Sequence, residues 1–284
     1  MKNIHKISIC AALCSLGLVA HAQTIIDPLN GTGGITYTNY LTLDQSQAGA
    51  VGGVADGVSF TQSGSGLQDN YTGSTAHAEQ AMSLAPGTSF GTTFAVGDTL
   101  SVASTVASSG VLEDFGLAIT AGPATVASAG NSWDSRATFD FMTISIRPST
   151  ANNPVASIKV TTSVSGSVVA NGPIGGGYTA NPSVASITGL YIDWLSTTGA
   201  GENFAYGYLT AGSIENQVGT ITYAPGSTIG NDIGFYGDLR ATGTSIGNFQ
   251  NLSITAVPEP STLAMCGVGF VGLLLALRRK QYIS

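Results

Sequence analysis

The sequence predicts an all-β protein, an antiparallel jelly-roll-like β-sandwich, carrying an N-terminal signal peptide and one C-terminal transmembrane helix. Three observations carry that expectation. Between residues 23 and 257, Gly, Ser, Thr, Ala and Asn separate short alternating apolar runs, with hardly any helical period. Within those runs the parity is strict: Phe204, Tyr206 and Tyr208 share one side of a strand, and Leu190, Ile192 and Trp194 alternate with Tyr191 and Asp193. The two ends differ in kind, being longer uncharged apolar stretches flanked by cations.

The first 22 residues read as a secretory signal. Lys2 and Lys6 precede the apolar run Ile7 to Ala20, and Ala20-His21-Ala22 is a small-x-small cleavage site. The expected partners at this stage are the Sec translocon and signal peptidase, and the mature chain starts at Gln23. A lipoprotein alternative at Cys10 or Cys14 fails because neither follows the small residue that lipidation requires, and Cys10 sits too early.

Residues 23–257 form the expected sandwich domain. Strands are predicted near 35–43, 57–61, 90–94, 99–107, 114–120, 137–147, 155–164, 187–195, 203–210, 216–223, 232–237 and 245–255. About a dozen strands exceed a small immunoglobulin-like domain and fit two packed antiparallel sheets. In 138–147 the apolar parity switches from Phe139 and Phe141 to Ile144 and Ile146, which predicts a β-bulge near Met142. A single short helix is expected at 75–84, and Gly172 to Gly177 and Gly199 to Gly201 read as loops. A β-solenoid is the runner-up architecture, although no fixed-period repeat is visible.

Residues 258–284 are a separate unit. Pro258-Glu259-Pro260 precedes 17 uncharged residues, Ser261 to Leu277, and then Arg278-Arg279-Lys280. At ~1.5 Å per helical residue that run spans about 26 Å, just enough for a hydrocarbon core of about 30 Å. Proline suits a helix boundary because it lacks the N–H that a helix interior needs. Three consecutive cations stop the helix and hold that end in the cytoplasm, which places residues before Pro258 outside.

This order of motif, helix and basic stop resembles the PEP-CTERM signal, by which bacteria with an outer membrane hand exported proteins to an exosortase. The resemblance implies that Pro258, Glu259 and Pro260 are recognised, and the chain cut nearby, by the exosortase. They would be its substrate and not an active site. The segments Asp232 to Asp238 and Phe249 to Ile254 look like the end of concanavalin-like, laminin-G-like sandwiches, a resemblance that implies fold more than activity.

Composition excludes several functions. Cys10 and Cys14 lie in the expected signal and Cys266 in the expected membrane helix, so the mature domain holds no cysteine and no disulfide. At about 235 residues it is large enough to build its own core. Between residues 23 and 257 only Arg136, Arg147, Lys159 and Arg240 offset fifteen acids, a net charge of −11. Nucleic acid is therefore not an expected partner, since its phosphates require a basic footprint. Acidic polymers should also be repelled at low salt.

Chemistry is bounded by subtraction. His77 is the sole imidazole of the domain and Lys159 its sole amine, which leaves carboxylates as the acid–base groups. Glycoside hydrolysis needs paired acids, which laminarinase-like sandwiches place on one strand as Glu-x-Asp-x-x-Glu. No such spacing occurs: Glu113 and Asp114 are adjacent, and Asp134, Asp140 and Asp193 are isolated. No catalytic residue and no cofactor is expected.

Calcium is an alternative at Asn231, Asp232 and Asp238, or at Asp69 and Asn70, as oxygen donors in expected loops, though neither group matches an EF-hand or a repeat loop. Trp133, Tyr178 and Tyr236 are the candidates for stacking on a sugar ring. The two threonine-x-threonine pieces, Thr36-Tyr37-Thr38 and Thr220-Ile221-Thr222, are too few to form an ice-binding array.

The favoured function is a non-catalytic, exosortase-sorted protein of the cell surface or extracellular matrix. It is exported through the inner membrane and held there by its C-terminal helix, transiently or permanently. A lectin-like module that binds extracellular polysaccharide is the alternative, and a glycan hydrolase the next.

Overall fold

A computed structural model describes residues 24–44, 58–71, 79–106, 114–121, 140–148, 156–164, 167–171, 186–223, 229–239 and 247–256. Fifteen strands run through them: β1 Thr24–Asp27, β2 Thr38–Asp44, β3 Val58–Ser63, β4 Gly66–Tyr71, β5 Glu79–Pro86, β6 Asp98–Val106, β7 Asp114–Ala121, β8 Asp140–Pro148, β9 Ala156–Val164, β10 Ser167–Asn171, β11 Gly189–Thr198, β12 Gly201–Thr210, β13 Ile214–Tyr223, β14 Ile229–Leu239 and β15 Gly247–Ala256. One 3₁₀ turn, Gly87–Phe90, follows β5. The expected signal peptide and membrane helix lie outside the described residues, and no described helix is long and apolar enough to cross a membrane.

The strands form two antiparallel sheets. The first orders as β13-β12-β11-β6-β15-β4-β3, with β1 also pairing β15, and the second as β10-β9-β8-β7-β14-β5-β2. The last two described strands are thus internal: β15 joins β6 to β4, and β14 joins β7 to β5. Their aromatic residues meet where the sheets face each other. Phe235 of β14 stacks on Phe249 of β15 with ring centroids 4.9 Å apart, and Phe115 of β7 packs on the same ring at 5.3 Å. Burying each such side chain contributes about 1.5–3 kcal/mol.

Alternation assigns the rest of the core. Leu190, Ile192, Trp194, Phe204 and Tyr206 point into the inter-sheet layer from the first sheet, and Leu117, Ile119, Met142, Ile144, Ile146, Ile158 and Val160 from the second. Tyr208 packs against its margin, so the expected parity of β11 and β12 holds.

Three local expectations are corrected. The helix expected at 75–84 is strand β5 where the structure describes it, paired with β2 on one side and β14 on the other. Its alanines, Glu and Gln favour helix intrinsically, but ladder hydrogen bonds to two neighbours override propensity. The strand expected at 90–94 is instead the end of the 3₁₀ turn and an irregular loop, with Gly91 in the left-handed region at φ 67°. No bulge occurs near Met142, because β8 keeps unbroken register with both β7 and β9. Both faces of β8 are buried there, so Phe141 can point away from the inter-sheet core and still be only 1% exposed.

Bulges occur elsewhere. Leu195 is skipped in the pairing of β11 with β12, and Val218 is skipped in the pairing of β12 with β13.

Candidate functional site

Three groups of titratable side chains stand out among the described residues. The first lies on the outward face of the first sheet. Register puts Tyr191 opposite Ser101 and Gly207, and Asp193 opposite Thr99 and Ala205. The Thr99 hydroxyl donates to Asp193 Oδ1 at 2.5 Å. Burial raises the Asp193 carboxyl above the ordinary range, and that hydroxyl pulls it partly back. Glu215 on β13 is raised by burial and then by the Asp193 carboxylate, and the Tyr191 phenol by burial, Asp193 and Glu215 in that order. Ser101 and Ser253 complete this face with a hydroxyl pair 2.9 Å apart.

The second group lies between the sheets. Glu202 and Tyr223 are direct cross-strand partners on β12 and β13, 6% and 1% exposed. Burial, then Asp140 of the second sheet, then Glu202 raise the Tyr223 phenol. Glu202 was not singled out by sequence, yet the signal was present: it shares the parity of Phe204 and Tyr206 and therefore had to face inward. Near it Trp194 packs between Phe94 and Phe204, at 5.6 and 5.5 Å, with its indole N–H buried and without a hydrogen-bond partner.

The third group closes the first strand onto the loop that follows. Asp27 is fully buried, and Oδ1 accepts from the Leu29 amide at 2.8 Å while Oδ2 accepts from the Tyr37 hydroxyl at 3.0 Å. Leu29 sits at φ 62°, a left-handed conformation that is uncommon for a branched residue and is held here by that carboxylate and by complete burial. The Tyr37 phenol is raised by burial first and by Asp27 second.

The sequence candidates that fall among the described residues lie in strands. Tyr236 lies within β14 and is 6% exposed, so it is packed in a strand and does not present a ring to solvent. Asn231, Asp232 and Asp238 are also in β14 and not in a loop, with Asp232 buried at 7% exposure. Six residues of strand put Asp232 and Asp238 about 20 Å apart along the backbone, too far to share one cation. Asp69 and Asn70 likewise belong to β4. Among the described residues no group of three or more His, Cys, Asp or Glu side chains could hold a metal ion. Trp133, Tyr178, Pro258, Glu259, Pro260, Arg278, Arg279 and Lys280 lie outside the described residues. Burial raises Asp193, Glu215 and the phenols of Tyr191, Tyr223 and Tyr37, favouring their neutral forms.

Comparison with known proteins adds one identification. Residues 256–280 match the PEP-CTERM protein-sorting motif. No curated protein matches the chain. Among solved structures, the CBM2 module of the evolved Dit of Lactobacillus casei BL23 phage J-1 is similar over 79% of this chain and all of its own, at 11% identity and a TM-score of 0.37. A protein of unknown function from Shewanella oneidensis MR-1 is similar over 82% of this chain and 92% of its own, at 10% identity and a TM-score of 0.33. Likeness at that level carries no argument about function.

Proposed function

We propose that this chain is an exported protein without catalytic activity, sorted by an exosortase to the cell surface or the extracellular matrix. The observation that carries the reading is the sorting motif at 256–280, which begins on the last residue of β15. In this reading residues 1–22 direct export, the sandwich is the delivered cargo, and Ser261 to Leu277 holds the chain in the inner membrane until sorting. The sandwich then follows a jelly-roll, concanavalin-like plan. The sequence holds no paired-acid spacing of the Glu-x-Asp-x-x-Glu kind, which supports a non-catalytic role.

The test is cell fractionation of a chain with Pro258→Ala and Glu259→Ala. Retention in the inner membrane at uncut length is the expected result. Release to the outer fraction at the unmodified level sinks the reading.

A further inference from the structure

Among the described residues the first sheet ends at β13, which is bonded there to β12 alone. It is the longest of the strands that terminate the two sheet orders, at ten residues against six for β3, five for β10 and seven for β2. Ile214, Glu215, Gln217, Thr220 and Thr222 are exposed along it, Ile214 at 61%. A free edge presents a row of unpaired N–H and C=O groups, and proteins that must stay monomeric blunt such edges with lysine, proline or a bulge. The bulge at Val218 divides this strand, and beyond it Gly219-Thr220-Ile221-Thr222-Tyr223 runs in regular register with no proline and no charge.

We propose that this edge is a self-association surface: the stretch Thr220 to Thr222, whose threonines are exposed, pairs antiparallel with the same stretch of a second copy, about a two-fold axis at Ile221. The segment is complementary to itself about that residue. Thr220 and Thr222 pair with Ala205 and Asn203, on the outward face, and would stand opposite Thr222 and Thr220 of the second copy, a favourable cross-strand combination. Ile221 pairs with Phe204 on the inward side and is only partly buried at the margin of the core, so a second Ile221 across the axis completes its cover. Charge selects the direction. Glu215 is the single charged residue of β13, and parallel pairing in register would stack two copies of it. Antiparallel pairing about Ile221 separates them by twelve positions, about 40 Å at ~3.3 Å per residue. A two-fold contact of this kind closes on itself and merges two eight-stranded sheets into one.

The test uses the full chain with Cys10, Cys14 and Cys266 replaced by serine, solubilised in mild detergent. Chains carrying Thr220→Cys are mixed with tagged chains carrying Thr222→Cys and oxidised gently. A disulfide-linked mixed dimer is expected, with none from a Gln62→Cys chain, whose thiol lies on the β3 edge. In parallel, light scattering should give twice the protein mass of one copy, halved by Thr220→Lys with an unchanged circular-dichroism spectrum. A single-copy mass for the unmodified chain at every concentration overturns the proposal. So does a dimer that neither cross-links between positions 220 and 222 nor responds to Thr220→Lys. The cysteine pair changes only exposed positions, so it decides the matter even where the lysine variant fails to fold.

Discussion

Tyr191 on β11 lies across from Gly207 on β12, and its ring fills the space that a side chain at Gly207 would need: a Cβ there would meet Tyr191 Cε1 at 2.9 Å and the Asn216 carbonyl oxygen at 2.1 Å. The arrangement repeats one strand further, on the opposite face. Tyr206 lies over its partner Gly219, where an added Cβ would meet the phenol oxygen at 2.8 Å. Two tyrosine rings of this part of the sheet, Tyr191 and Tyr206, are thus each accommodated by a glycine on the neighbouring strand.

Gly207→Ala should accordingly destabilise the fold by about 1–3 kcal/mol, since the Asn216 carbonyl is backbone and cannot swing away. Urea denaturation followed by tryptophan fluorescence measures it. An unchanged midpoint would show that β12 shifts freely and that the packing is not specific.

Tyr37→Phe removes the hydroxyl that donates to Asp27 Oδ2 while leaving the ring packed against Phe235 and Phe90. The buried carboxylate is left one donor short, at an expected cost of about 1–3 kcal/mol. A thermal scan of the phenylalanine variant tests this, and a melting point equal to that of the unmodified protein would mean that Asp27 has another source of compensation.

Glu215 gives a pH signature. Although it stands exposed on β13, partial desolvation and then Asp193 raise its carboxyl above 4.5. A raised acid binds its proton more tightly in the folded state, so this group imposes no penalty below the unfolded value and a growing one as pH climbs through the folded value. Glu215→Gln should therefore raise the urea midpoint at about pH 7 and leave it unchanged at about pH 3. An equal shift at both pH values would trace the effect to something other than ionisation.

Tyr236→Ala should unfold or strongly destabilise the protein, by about 3–5 kcal/mol, because the ring is buried within β14. Incubating the intact protein with a polysaccharide panel, with and without calcium, is expected to show neither retention nor new reducing ends. Retention by an unmodified chain that Tyr236→Ala abolishes while still folded would instead make this residue part of a sugar-binding face.

Much of the fold was legible because period-2 alternation is read directly wherever one face of a strand meets the inter-sheet core. Leu190, Ile192 and Trp194 on β11 and Phe204 and Tyr206 on β12 show this. Where both faces are buried the pattern loses its meaning, as at Phe141 and Met142, each 1% exposed on opposite sides of β8. At β5 local propensity pointed the wrong way because pairing with strands distant in sequence decided the outcome. The bond from Tyr37 to Asp27 was not legible at all, since it depends on how a left-handed turn at Leu29 folds the chain back. Of the candidate site, the tail motif was visible as a linear signal, whereas Asn231, Asp232 and Asp238, at the ends of the strand expected at 232–237, looked like loop residues because β14 runs further in both directions, from Ile229 to Leu239.

The internal position of β14 and β15 also dictates an order of events during synthesis. Until residue 229 has left the ribosome, the second sheet can exist only as two fragments, β10-β9-β8-β7 and β5-β2, and the first waits for β15 to bridge β6 and β4. The inner edges of β4, β5, β6 and β7 thus stay open in the nascent chain until β14 and β15 have been made. Such edges invite wrong pairing, so the interval before the last two strands arrive is when this protein most needs to be kept apart from copies of itself.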